Sequence, residues 1–233
     1  IIATIIFIAI GLILSFGKSI YKTTETLQRY LIMVGVPFII ILTLYLSNSQ
    51  DLTELATGLI GQGNGYLFLP AGISLGTFLG ALAYSGAGGN LNLAQSFYIR
   101  DKGYGMGKYA DKITNIRSTK NISLTGTTFP LTSKNLNRYH SWWKKINQEH
   151  FIVFWFLGLL TMLTLGLLAY VTAGESSNNH EGLNFLFNQA SAISRRTFPV
   201  VGSAFLGITG LMLLSTQLGI LDSTSRIITE NTH

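Results

Sequence analysis

Apolar runs of membrane length alternate with polar stretches along this chain. A helix that crosses a bilayer needs about 20 predominantly apolar residues. Residues 27–46, 151–173 and 198–221 meet that length, residues 1–16 fall a little short, and residues 66–99 exceed it with an interruption near 85–92. The pattern predicts an all-α membrane protein with about five transmembrane helices, one of them interrupted, in a single transmembrane domain covering residues 1–233. Pro37 inside the second run predicts a kink that a helix bundle tolerates. Pro199 falls at the first turn of the last run, where its missing N–H is no loss. Residues 47–65 read as a polar loop and 100–150 as a long polar segment. Within the latter, Leu136, Tyr139, Trp143 and Ile146 are spaced 3, 4 and 3, one helical face. Lys134, Arg138, Lys144 and Lys145 surround that face and Trp142 joins its aromatic side, which predicts an interfacial amphipathic helix feeding the fourth span.

The interruption carries the candidate chemistry. It contains Gly86, Ala87, Gly88, Gly89, Asn90, Asn92 and Gln95 inside an otherwise apolar run. In lipid, backbone leaves helical geometry only where it is buried in protein or lines a wet cavity. A glycine cluster lets a helix unwind, and the freed carbonyls can meet an ion. Asn90 and Asn92 would splay about 200° apart on a regular helix, whereas an unwound segment lets both face one cavity. Ala87, Gly88, Gly89, Asn90, Asn92 and Gln95 are therefore the candidate substrate-binding residues. The competing explanation is a small-residue packing face, since glycine is common in membrane helices. Gly72, Gly76 and Gly80 recur every fourth residue and predict a ridge for close helix packing. Farther along, Gln217 lies deep in the last run and is a further candidate. Asp222 supports two readings: an intramembrane acid on a proton or ion pathway, or a water-exposed carboxylate at the inner end of the span.

Composition and charge narrow the class. Of 233 residues, 48% are hydrophobic and only 11% charged, against about 25% charged in an average domain. The net charge is +6, but the basic residues cluster beside membrane runs, so lipid headgroups are the expected partner and nucleic acid is not. There is no cysteine, which excludes disulfides and thiolate metal sites. The chain begins at Ile1 within an apolar run and carries no signal-peptide pattern, so an internal piece of a longer protein is expected. Lys18, Lys22 and Arg29 follow the first run, Asp51 and Glu54 the second, and ten basic against three acidic residues the third. That alternation predicts an integral protein of the plasma (inner) membrane with 100–150 cytoplasmic and 47–65 external. Arg195 and Arg196 run against it. The spans hold almost no nucleophile and base pairs, so no enzymatic activity is expected. Gly103, Gly105, Gly107 and Lys108 resemble a phosphate loop without its spacing or its preceding strand. Asn121-Ile122-Ser123 is a glycosylation sequon that the charge rule places inside. His140, His150, His180 and His233 show no metal-ligand spacing and read as loop residues.

Several stretches together resemble the natural resistance-associated macrophage protein (Nramp) family of proton-coupled divalent-metal transporters. Phe16-Gly17-Lys18-Ser19-Ile20-Tyr21-Lys22 with Glu25-Thr26-Leu27 is similar to that family's connection between its fourth and fifth helices. Residues 52–92 resemble the loop entering its sixth helix and the unwound centre of that helix. Leu213-Leu214-Ser215-Thr216-Gln217 resembles the small-polar stretch of its eighth. The resemblance implies a partial LeuT-like inverted-repeat bundle whose sixth helix holds the metal through a methionine sulfur and an alanine carbonyl. Gly86-Ala87 matches the family's motif, but no Met-Pro-His follows. In a gapless register Asn90 falls at the methionine position and Asn92 at the histidine position. In a shifted register Asn90-Leu91-x-Leu93 matches and Ala87 replaces the methionine. Either way the thioether is absent, which marks a divergent branch.

The expectation is secondary-active transport of a divalent metal cation, with protons as the coupling ion. Ala87 and Asn90 would be the metal ligands within the wider set Ala87, Gly88, Gly89, Asn90, Asn92, Gln95 and Gln217, and Asp222 would lie on the proton or ion pathway. No cofactor is expected, because the cation is the cargo. The alternatives are a LeuT-like carrier of a small organic solute and a membrane scaffold that transports nothing.

Overall fold

The computed structural model describes residues 20–62, 74–85, 89–109, 128–173 and 182–232, together with Thr4, Ile8 and Gly11. Every described element is helical: α1 (Ile20–Leu46), α2 (Ser49–Leu59), α3 (Leu75–Ser85), α4 (Gly89–Lys102), a 3₁₀ turn (Gly105–Lys108), α5 (Ser133–Glu149), a π-helical stretch (His150–Phe156), α6 (Leu157–Ala173), α7 (Gly182–Arg196) and α8 (Pro199–Thr232). Stretches 25–46, 133–172 and 199–228 are long and apolar enough to cross a membrane. They contain the predicted second span and all but one end residue of the predicted fourth and fifth. Large apolar side chains stand outward on them, including Ile41, Tyr45, Trp155 and Val200, as lipid-facing surface requires. The predicted first span lies almost wholly outside the described residues. The predicted third appears as two short helices, α3 and α4. Of the predicted interruption at 85–92, Ser85 ends α3 and residues 89–92 form the first turn of α4 instead of unwinding, while 86–88 lie outside the described residues.

The chain divides into two compact units. In the unit formed by residues 29–86 and 156–214, Ile39 and Leu42 of α1 pack with Leu168 of α6, Ala190 and Ile193 of α7, and Phe205 of α8. Between helices in lipid such contacts stabilise through close van der Waals packing rather than removal from water. Within this core the Thr43 hydroxyl donates to the Ile39 carbonyl at 2.7 Å and reaches the Thr164 carbonyl of α6 at 3.3 Å, so its burial leaves no orphan donor.

Two segments between predicted spans are helices. Residues 47–65, read as a polar loop, contain α2. Asn48 accepts from the Asp51 and Gln50 amides, while Asp51 accepts from the Asn48 amide. Such a capping box satisfies the free donors of a helix start. The region between the predicted fourth and fifth spans contains α7, whose Leu186, Ala190 and Ile193 point into the core. Arg195 and Arg196, which ran against the charge alternation, occupy the last turn of α7. Cations are favoured at that negative end of the helix dipole whichever side of the membrane it faces.

Two glycines of the predicted ridge, Gly76 and Gly80, are described. A Cβ at Gly76 would come only within 3.9 Å of Ser74, and one at Gly80 would meet nothing within 4 Å among the described residues. Gly72 lies outside them. Close backbone approach occurs instead at Gly202 of α8, where a Cβ would lie 2.5 Å from the Ala190 carbonyl oxygen of α7.

Candidate functional site

The second unit comprises residues 1–28, 87–155 and 215–233, and its described core is unusually polar. Helix α8 runs eleven residues past the predicted end of the last span, from 221 to Thr232. Asp222 therefore sits inside a helix and is 2% exposed. This decides against the reading of Asp222 as a water-exposed carboxylate at a helix end. One turn on, the Arg226 Nε donates to Asp222 Oδ1 at 2.9 Å. The Arg226 Nη1 donates to Asp101 Oδ2 of α4 at 2.6 Å. The Tyr98 hydroxyl donates to the other Asp222 oxygen at 3.2 Å, and the Arg226 guanidinium lies 5.7 Å from the centre of the Tyr98 ring.

Local structure explains why these groups meet. Asp101 is in the last turn of α4, where the helix dipole disfavours an acid; Arg226 offsets that. The helix ends there because Gly103 adopts φ 83°. The Gly103 amide then donates to the Arg100 carbonyl at 2.9 Å and the Tyr104 amide to the Ile99 carbonyl at 3.3 Å, a Schellman motif. The three ionised groups sum to one negative charge. Arg100, whose Nε is 3.7 Å from Asp101 Oδ1, restores neutrality from a partly exposed position. Buried charges persist only when paired and hydrogen-bonded. Asp101 Oδ1 and Arg226 Nη2 are enclosed and have no hydrogen-bond partner among the described residues.

Helix α4 also carries the amide cluster. Asn90 and Asn92 lie in its first turn. Gln95, one turn on, is half-buried and its amide nitrogen is 3.1 Å from His150 Nδ1. His150 is not a loop residue but opens the π-helical stretch and stacks on Phe154 at 4.9 Å; His140 lies within α5. His180 and His233 lie outside the described residues. Gln217 is half-buried on α8, five positions before Asp222, about 7.5 Å along the helix. Ala87 and Gly88 lie outside the described residues, as do the side chains of Asn90 and Asn92. Among the described residues no three His, Cys, Asp or Glu side chains group as a metal site.

Sequence reasoning singled out Asp222 but missed Asp101 and Arg226. A signal was present: Asp222 and Arg226 are spaced i, i+4 on a helix, the register of an intrahelical ion pair. The other unit holds an acidic cleft of about 980 Å³ lined in part by Asp51, Glu54, Thr57 and Tyr170. There the Tyr170 hydroxyl, followed by the Gln50 amide, holds the Glu54 carboxyl below its ordinary pKa.

No protein-family model matches the chain, and neither a curated protein sequence nor a solved structure matches it.

Proposed function

We propose that this chain belongs to a secondary-active membrane transporter whose cargo is a divalent metal cation and whose coupling ion is the proton. The observation that carries the reading is the buried Asp101–Arg226–Asp222 network at one end of α4, the helix that bears Asn90 and Asn92 at its other end and Gln95 midway. Ionisable groups enclosed in a membrane bundle are rare and mark ion and proton pathways. The separate helices on either side of residues 86–88 support a binding segment there, as does the likeness of Gly86-Ala87 and the surrounding residues to the Nramp family. Carbonyl oxygens near Ala87 and the amide oxygen of Asn90 would hold the cation; Asn92 lies about 200° round the first turn of α4 from Asn90 and would not share that site. The acidic cleft beside Asp51 and Glu54 would gather cations at the external face, and 100–150 would lie in the cytoplasm. A membrane scaffold is the second reading, favoured by the pairing of every ionised group in the network, since buried ion pairs can serve packing specificity alone.

Uptake by the natural protein in proteoliposomes separates the two. Oxygen ligands suit Mg²⁺ and Mn²⁺, while thioethers favour soft ions. The expected result is Mn²⁺ uptake stimulated by an inward proton gradient, weak discrimination against Mg²⁺ and poor Cd²⁺ uptake. Asp222→Asn should remove the gradient dependence. Absence of uptake of every divalent ion would favour the scaffold, whereas an unchanged gradient dependence in Asp222→Asn would remove Asp222 from the proton pathway.

A further inference from the structure

The polar face of α5 has a use that transport does not require. Lys134, Arg138, Ser141 and Lys145 recur at intervals of 4, 3 and 4, which places them on one stripe of the helix. The opposite face carries Leu136, Tyr139 and Trp143, which are 38%, 40% and 49% exposed. The 3₁₀ turn stands beside the stripe, and the two border an open, shallow groove of about 530 Å³.

Glycines fix the groove's shape. Gly105 adopts φ 54°, and a Cβ there would lie 2.9 Å from the Trp142 ring. A Cβ at Gly107 would lie 2.7 Å from the Arg100 backbone. The turn can therefore rest on both α5 and α4 only if these positions lack side chains. The Gly103, Gly105, Gly107 pattern that the sequence left without a purpose is this wall, and it carries Lys108 to the groove.

Four cations, Lys108, Lys134, Arg138 and Lys145, line the groove, and no carboxylate is among the described lining residues. Glu149, the one acid of α5, is engaged by Lys102 and by the Tyr104 hydroxyl. Like charges around one concavity repel each other and focus a field that favours a multivalent anion. A phosphomonoester brings about −1.5 to −2 charges and three acceptor oxygens. The Arg138 fork can take two of those oxygens, and the lysines act as point charges. Lys145 precedes Phe151 by six residues, about 9 Å along a helix, so the groove opens close to the level of a lipid headgroup layer roughly 5–7 Å deep.

We propose that this groove is a phosphate-binding site, taking a phosphomonoester on a lipid headgroup or phosphate free in solution. The inference goes beyond transport and does not depend on it. It is tested by native mass spectrometry of the purified natural protein in neutral detergent. The probes are short-chain phosphatidic acid, phosphatidylcholine of equal chain length, and inorganic phosphate. Arg138→Gln and Lys145→Gln should each weaken the adduct about tenfold, the effect of one lost charge-assisted hydrogen bond. Lys144→Gln removes the same charge one residue away but outside the groove, and should change affinity less than about twofold. Circular dichroism checks that each variant keeps its helix content. Preference for phosphatidic acid identifies a lipid headgroup; equal binding of inorganic phosphate identifies a soluble source. The site is disproved if neither phosphate probe binds better than phosphatidylcholine, or if Lys144→Gln weakens binding as much as Lys145→Gln.

Discussion

Arg226 holds two buried carboxylates that no other fully buried cation in the described structure approaches. Replacing it with Met leaves Asp101 and Asp222 enclosed without their partner, and breaking a buried pair in this way costs about 3–5 kcal/mol. Asp222→Asn keeps Arg226 on Asp101 and should cost less, about 1–3 kcal/mol. Thermal unfolding in detergent checks the order; a more damaging Asp222→Asn would show that the Tyr98 contact, not the guanidinium, holds the network. Only part of this was legible in the chain. Asp222 stood out as an acid at the end of an apolar run. Its local partner Arg226 was visible in principle through the i, i+4 spacing. Asp101 was not, because it is 125 residues from Arg226, and no local periodicity reports a contact at that separation.

At the scale of elements, apolar runs and periodicity found the helices long and apolar enough to cross a membrane and the aromatic-faced one before the fourth, and missed the short ones α2 and α7. The amphipathic helix of residues 133–149 was readable because its aromatic face repeats at helical spacing. Helix α2 was not, because the polarity of Asp51 and Glu54 suggested a loop while Asn48 and Asp51 were in fact its cap. Helix α7 was hidden for a similar reason, its apolar face being three residues wide. A four-residue repeat is compatible with close packing, but whether a neighbour occupies that face is a tertiary fact. Gly202→Ala should therefore destabilise by about 1–3 kcal/mol, because the new methyl meets the fixed Ala190 carbonyl. Gly80→Ala should be neutral or stabilising by up to about 1 kcal/mol, from helix propensity alone. Thermal unfolding of the two variants decides the matter, and equal losses would support the ridge.

For the molecule as a whole, the charge alternation between apolar runs sets the orientation proposed above. The absence of cysteine makes single introduced thiols clean reporters. Ser49→Cys on α2 should react with an impermeant reagent added to intact cells, and Lys144→Cys on α5 should be protected until the membrane is opened. The reverse pattern would invert the protein and place the acidic cleft inside. The central claim, that a cation is held beside residues 87–90, is tested most directly by Mn²⁺ uptake into proteoliposomes containing the natural protein or its Asn90→Ala variant, at equal incorporation and equal thermal stability. Uptake by the unaltered protein with a loss of at least about tenfold in Asn90→Ala, the weight of one lost cation–oxygen contact, is the predicted result. Undiminished uptake in Asn90→Ala would make Asn90 a packing residue and contradict the proposed site.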